Sequence, residues 1–287
     1  MRDLDQNTIT DEALGAVAGA ASPRVREVSQ ALVRHLHAFV REIEPTQAEW
    51  EYGIDFLTRV GQMCSAVRQE FILLSDTLGV SMLVDTINHQ KPEGATETTV
   101  LGPFFVESRP ELPLGANMSE GLPGTPMYVS GTVRDLEGRP LAGAVIDCWH
   151  SDDDGFYDVQ RLQDLKMRGR FRADGEGCFR FWSVRPKYYP IPSDGPVGDM
   201  LAAQGRHPFR PEHVHFMIAA PGFQTLVTHV FIDGDPYLDS DVVFGVKNSL
   251  VTRYRECDAG TAPDGSEVPV PYLVLEYDFV MTPGETG

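Results

Sequence analysis

Met127-Tyr-Val-Ser-Gly-Thr-Val133, Asp135-Leu-Glu-Gly138 and Ala144-Val-Ile-Asp-Cys-Trp149 decide the fold. The outer runs are short, rich in β-branched and aromatic residues, and bounded by glycine, so they read as strands. The middle run has the polar, glycine-ended composition of a turn. The same grammar continues downstream. Ala173-Asp-Gly-Glu-Gly-Cys-Phe-Arg-Phe181 is a turn entering a strand, and His213–Ala219, Leu226–Asp233 and Tyr272–Val280 are further strands. Many short strands punctuated by glycine and proline predict an antiparallel sandwich. Short helices are expected to interrupt it at Val197–Gln204 and Val246–Tyr254.

Before about residue 105 the chain has a different character. Ser22-Pro23 offers an N-cap and a proline in the first turn. Val25, Val28, Leu32, Leu36, Phe39, Val40 and Ile43 then recur at helical spacing until Pro45. Thr46-Gln-Ala-Glu49 is a capping box opening a second helix with Trp50, Ile54, Leu57, Val60 and Met63. Further helical stretches run to Gln90. An apolar stripe of this kind predicts ordinary core packing. The reading is thus an α+β chain, with a helical region over 1–104 and a β-sandwich over 105–287.

Composition narrows the function. The 287 residues carry 24 basic and 42 acidic side chains, a net charge of −18. Such a field repels phosphate backbones and argues against nucleic-acid binding. No apolar run is long enough for a membrane span. The polar start Met1-Arg-Asp-Leu-Asp-Gln lacks a secretory pattern, so the cytoplasm is expected. Cys64, Cys148, Cys178 and Cys257 lie far apart without a Cys-x-x-Cys pair, and buried free thiols are expected.

The chemistry begins at Arg210-Pro-Glu-His-Val-His-Phe216. In a strand, residues i and i+2 share a face, so His213 and His215 project together as a ready metal chelate. Zinc or a cupin-type site would also use such a pair. Cupins usually add a glutamate a few residues on, where Phe216-Met-Ile-Ala-Ala220 stands. Other candidate ligands are tyrosines: Tyr157 in Asp154-Gly-Phe-Tyr157, and Tyr188 or Tyr189 in a proline-stiffened loop from Arg185 to Pro196. Taken singly, each tyrosine also reads as a core aromatic with its hydroxyl tied down.

Several of these stretches resemble the intradiol ring-cleavage dioxygenases. The signature is carried by Val129-x-Gly131, Val133, Gly138, Leu141, Ile146-Asp-Cys148 and Gly155-Phe-Tyr157. Pro192-Ser-Asp-Gly-Pro196 and Gly205-Arg-His-Pro-Phe-Arg-Pro-Glu-His-Val-His-Phe216 add to it in the right order. The resemblance implies one Fe(III) per subunit, held by Tyr157, Tyr189, His213 and His215. Tyr189 is preferred to Tyr188 because it keeps the family's spacing to Asp194. Two tyrosinates and a hydroxide would balance the ferric charge, which disfavours zinc and cupin chemistry. A catechol-type substrate would be cut with O2 between its hydroxylated carbons. Tyr189 would leave the metal as an internal base, and Arg210 would stabilise negative charge on the ring.

By analogy Leu73, Asp76, Val100, Leu101, Gly102, Pro103, Phe104, Ile191, Pro192, Arg210 and Val243 would line the substrate pocket. The Gly-Pro-Phe-Phe form and Asp76 look most like the branch acting on hydroxyquinol (benzene-1,2,4-triol), where a carboxylate could accept a hydrogen bond from the extra hydroxyl. Asp76 also reads as a helix N-cap. His229 departs from a glutamine common in the catechol branch. The resemblance further implies a homodimer through the N-terminal helices, with a phospholipid in an apolar tunnel. Rival readings are a catechol or chlorocatechol dioxygenase and, without catalysis, a prealbumin-like binding module suggested by Gly131–Val145.

Overall fold

A computed structural model of the chain describes residues 2–65, 68–162 and 164–284. Five helices come first: α1 (Ile9–Ala16), α2 (Pro23–Ile43), α3 (Gln47–Met63), α4 (Glu70–Thr77) and α5 (Val80–Asn88). Their starts follow the local chemistry. Ser22 Oγ accepts from Val25 N at 3.2 Å, and Thr46 and Glu49 form a reciprocal capping box at 2.8 and 3.3 Å. No helix among the described residues is long and apolar enough to cross a membrane.

The strands follow in chain order: β1 (Pro126–Asp135), β2 (Val145–Trp149), β3 (Arg168–Arg172), β4 (Cys178–Val184), β5 (Tyr189–Pro190), β6 (Phe209–Arg210), β7 (His213–Ala219), β8 (Leu226–Ile232), β9 (Val251–Thr252), β10 (Arg255–Cys257), β11 (Gly260–Thr261), β12 (Glu267–Val268), β13 (Tyr272–Glu276) and β14 (Phe279–Met281). Helix α6 (Asp158–Arg161) lies between β2 and β3, and α7 (Pro196–Ala203) between β5 and β6. One large sheet runs β3-β2-β7-β8-β9 and a second runs β10-β13-β1-β14, with β4 also paired to β1; β5-β6 and β11-β12 form two-stranded pairs. Met127, Val129, Val133, Ile146, Cys148, Phe171, Phe179, Phe181, Val214, Phe216, Ile218 and Leu275 interdigitate as one buried core.

Most pairings are antiparallel, as the sequence predicts, but β1 runs parallel to β13 and β14, and β8 parallel to β9. The expected strand Tyr272–Val280 is broken at Tyr277-Asp278, letting β13 and β14 pair with different stretches of β1. The helix expected at Val246–Tyr254 is absent. A single 3-10 turn at Asn248–Leu250 leads into β9, where β-branched Val251 and Thr252 pair with Phe231 and Ile232. All four cysteines are free, but only Cys148 is buried.

By contact the chain forms two compact units, Met1–Arg59 and Val60–Gly287. This division falls well before the change in sequence character near residue 105. Helices α4 and α5 and the segment after them go with the sandwich because hydrogen bonds hold them to it. Glu70 accepts from Val197 N at 3.3 Å, Thr96 N donates to Val280 O at 3.0 Å, and Thr99 N donates to Val227 O at 3.0 Å. In the first unit the apolar stripe is not core. Leu36, Phe39 and Trp50 are 53%, 55% and 54% exposed in the single chain, and Val25, Val28, Leu32, Val40 and Ile43 are exposed with them.

Candidate active site

The site grows from strand alternation. Val214 and Phe216 enter the sandwich core, so His213 and His215 stand on the outer face of their sheet. The register sets His215 opposite Trp149 on one side and His229 on the other, and His213 opposite Phe231. Trp149 stacks on His215 with ring centroids 4.7 Å apart. Two loops then cover this face. One follows β2 and delivers Tyr157; the other ends in β5 and delivers Tyr189.

The four side chains meet. Tyr157 Oη lies 2.9 Å from His215 Nε2, and the two Nε2 atoms of His213 and His215 are 3.1 Å apart. The ring of Tyr189 lies 5.2 Å from that of Tyr157 and 5.6 Å from that of His213. Tyr188 turns elsewhere, packing edge-on against Phe209 and Tyr237. Two glycines permit the approach. A Cβ on Gly102 would meet His215 Cε1 at 3.0 Å, and one on Gly155 would meet Tyr188 O at 2.8 Å; both have left-handed φ, +80° and +90°.

These residues fit a metal ion. His213 Nδ1 is 2.7 Å from the Pro211 carbonyl, which can only accept, so Nδ1 carries the proton and Nε2 presents a bare lone pair. That lone pair faces His215 Nε2. His229 adds a third nitrogen: its Nδ1 is 2.9 Å from Thr99 Oγ1, while its buried Nε2 has no hydrogen-bond partner. Ligand atoms of His213, His215 and His229 all lie within 4.8 Å of one another. Burial pushes all three imidazoles well below their ordinary range and keeps them neutral. Burial likewise pushes the Tyr157 phenol well above 10, with Tyr189 adding to the shift. Converging neutral nitrogens and phenols, sealed from water, form a donor set that a cation completes.

A cleft of about 940 Å³ lies alongside, lined by Leu73, Asp76, Val100, Leu101, Gly102, Pro103, Phe104 and Pro192 among others. Ile191 is buried next to that lining, and Arg210 and Val243 are buried outside it. Phe104 stacks on Tyr157 at 4.3 Å, joining the cleft wall to the tetrad. Asp76 is not an N-cap. It sits buried in the last turn of α4, whereas α5 starts after Gly79. Desolvation raises the Asp76 carboxyl above its usual range, against the lowering effects of Ser81 and Arg210. Arg210 Nη1 lies 3.4 Å from His213 Nε2. Burial alone would lower its pKa, but the charge of Asp241 and the neighbouring phenols hold it raised and fully ionised.

Comparison with known proteins adds the decisive observation. Residues 100–283 match the family model "Dioxygenase", and residues 22–96 match "Catechol dioxygenase N terminus". The chain belongs to the intradiol ring-cleavage dioxygenases. It is 48% identical to a 6-chlorohydroxyquinol 1,2-dioxygenase of Cupriavidus pinatubonensis, over 99% of either chain. It is 51% identical to a hydroxyquinol 1,2-dioxygenase of a Rhizobium species, over 90% of this chain and 89% of the relative. The crystal structure of hydroxyquinol 1,2-dioxygenase from Pseudomonas putida DLL-E4 superposes with a TM-score of 0.92 at 51% identity, covering 97% of this chain and 99% of that one. Catechol 1,2-dioxygenase from Pseudomonas arvilla C-1 has a TM-score of 0.83 at 29% identity, covering 98% and 92%.

Buried ion pairs that the sequence does not single out brace these residues. Arg168 and Asp158 form a buried ion pair beside Tyr157, with Arg168 Nε 2.6 Å from Asp158 Oδ2. The same guanidinium donates to Phe104 O at 3.1 Å, tying the tyrosine loop to the cleft wall. Arg185, at the start of the Tyr189 loop, grips Glu212 beside His213 at 2.8 Å. Asp241 pairs with Arg210. A buried aspartate or arginine looks like any surface charge in a sequence; only its partner, distant along the chain, reveals it.

Proposed function

We propose that this chain cleaves hydroxyquinol with O2 between its adjacent hydroxylated carbons. The product is 3-hydroxy-cis,cis-muconate, which tautomerises to maleylacetate. One Fe(III) per subunit is held by Tyr157, Tyr189, His213 and His215. The observation that carries this reading is the convergence of two imidazole Nε2 atoms, 3.1 Å apart, with two buried phenols. Hard anionic oxygens suit a ferric ion, and neutral imidazoles complete the set without adding charge. When bound, the metal supplies Lewis acidity that lowers the pKa of coordinated hydroxyls and accepts electron density from the ring.

The protein's own groups do the rest. Tyr189 would serve as the internal base, its Oη taking a proton from a substrate hydroxyl. Tyr157 would stay, its ring stacked on Phe104. Arg210 balances the negative charge that grows on the ring. Leu73, Val100 and Pro103 exclude water from the ring, and Asp76 accepts a hydrogen bond from the hydroxyl that catechol lacks. The named activity of the relatives on hydroxyquinols supports this choice of ring.

The exposed apolar stripe of α2 and α3 supports a second assignment. The helical region 1–104 serves dimerisation, with two copies covering each other's stripe and an amphipathic lipid filling the remaining apolar tunnel.

The test is steady-state turnover of the iron-loaded enzyme on catechol, 4-chlorocatechol and hydroxyquinol, with product spectra. Hydroxyquinol is expected to give the highest kcat/KM and a product cut between the hydroxylated carbons. A higher value for catechol would overturn the choice of ring while leaving the reaction class intact.

A further inference from the structure

The carboxylate of Asp241 takes no part in the chemistry above, yet it is buried beside it and heavily bonded. Its Oδ1 accepts from Arg210 Nε at 3.1 Å and Val243 N at 3.4 Å. Its Oδ2 accepts from Arg210 Nη2 at 3.2 Å and Gly245 N at 2.9 Å. We propose that Asp241 is a positioning residue: one carboxylate aims the Arg210 guanidinium at the His213 side of the donor cluster and folds the turn Asp241–Gly245. This rests on the reading that Arg210 stabilises charge on the ring.

The geometry is specific. An arginine side chain is long and flexible, but its guanidinium is a rigid plane. Two bonds along the Nε–Nη2 edge fix the orientation of that plane. The opposite edge faces the donor cluster, where Nη1 lies 3.4 Å from His213 Nε2. Arg210 therefore arrives at the site already pointed, with no rotamer search during turnover.

The turn Asp241-Val-Val-Phe-Gly245 closes around this pair. Phe244 N donates to the Asp241 carbonyl at 3.0 Å. Phe244 adopts a left-handed φ of +59°, which a bulky residue holds only when its surroundings impose it. Here the imposing group is Asp241, which receives the N–H groups of Val243, Phe244 and Gly245. Gly245 leaves no slack. A Cβ there would meet Arg210 Nη2 at 3.0 Å and Asp241 Oδ2 at 3.1 Å.

A carboxylate present only to neutralise a buried cation would not act through the orientation of Arg210. A double-mutant cycle on the iron-loaded holoenzyme separates the two roles. Asp241→Asn keeps the volume but turns an acceptor into an N–H facing donors. It is expected to lower kcat by roughly 10- to 100-fold with iron content unchanged. KM should move by less than about threefold, since the interaction is spent in the transition state. In an Arg210→Met background the same substitution should lower kcat no further. Gly245→Ala, which keeps the carboxylate but crowds Nη2, serves if Asp241→Asn fails to fold. It should lower kcat in the parent and not in Arg210→Met. Equal losses in both backgrounds, or loss of iron on Asp241→Asn, would overturn the proposal. Wild-type kcat in Arg210→Met would instead remove the role given to Arg210, and the proposal with it.

Discussion

The helices of the first unit and the outer face of the sandwich break the usual rule of burial in opposite directions. On α2 and α3, Leu36, Phe39 and Trp50 stand more than half exposed in the single chain. Around β7, three histidines, Tyr157, Arg210 and Asp241 are almost wholly buried. Apolar groups left in water and polar groups taken out of it are both costly alone. The donor cluster calls for a cation, and the helical stripe is the face that the proposed dimer would cover. Exposure leaves open what, if anything, covers a face; converging lone pairs say what chemistry they can hold.

Breaking the helical side gives the largest effect. Leu36→Glu combined with Phe39→Glu should convert a dimer wholly to monomer, each burial being worth roughly 1.5–3 kcal/mol. Sedimentation velocity reads this out, and dimers that persist would move the contact elsewhere. Breaking the buried side comes next. Tyr157→Phe should cut kcat by roughly 10²- to 10³-fold by removing an anionic ligand, and should shift and weaken the visible band, which the Tyr189 tyrosinate alone would then carry. An unchanged visible spectrum would remove Tyr157 from the ligand set.

A third test uses pH. Burial holds His150 neutral, with its pKa lowered to about 4. Between pH 6.5 and 4 the unfolded chain binds a proton that the folded chain refuses, so stability falls as pH falls through that window. His150 alone should cost roughly 2 kcal/mol at pH 5 relative to neutral pH. His213, His215 and His229 are shifted in the same direction and add to the slope in metal-free protein. Urea unfolding of metal-free His150→Gln at pH 7.5 and 5 should show that part of the slope gone; an unchanged slope would contradict the assignment. The smallest expected effect sharpens the cleft. Asp76→Ala should lower the preference for hydroxyquinol over catechol about tenfold, the worth of one hydrogen bond to a buried group. A preference that stays put would take Asp76 out of substrate selection.

Local rules made much of this legible. Period-2 alternation puts His213 and His215 on one face whatever the rest of the chain does, and Ser22 and Thr46 start their helices by short-range hydrogen bonds. Glycine marked the close approaches at Gly102 and Gly155 only in retrospect. What sequence could not give was pairing across distance. The Arg168–Asp158, Arg185–Glu212 and Arg210–Asp241 pairs look like solvated charges until the fold brings them together. The parallel pairing of β1 with β13 and β14 is likewise a matter of topology that strand composition does not encode. The apolar stripe of α2 misled for a related reason: periodicity finds an apolar face but not whether the chain's own residues bury it.

The central claim is that two tyrosinates and two histidines hold a ferric ion. Metal analysis with a visible spectrum of the purified protein tests it most directly. The account predicts one iron per chain and a broad tyrosinate-to-iron(III) band that colours the protein red to burgundy. Stoichiometric zinc, or iron bound without that band, would contradict it.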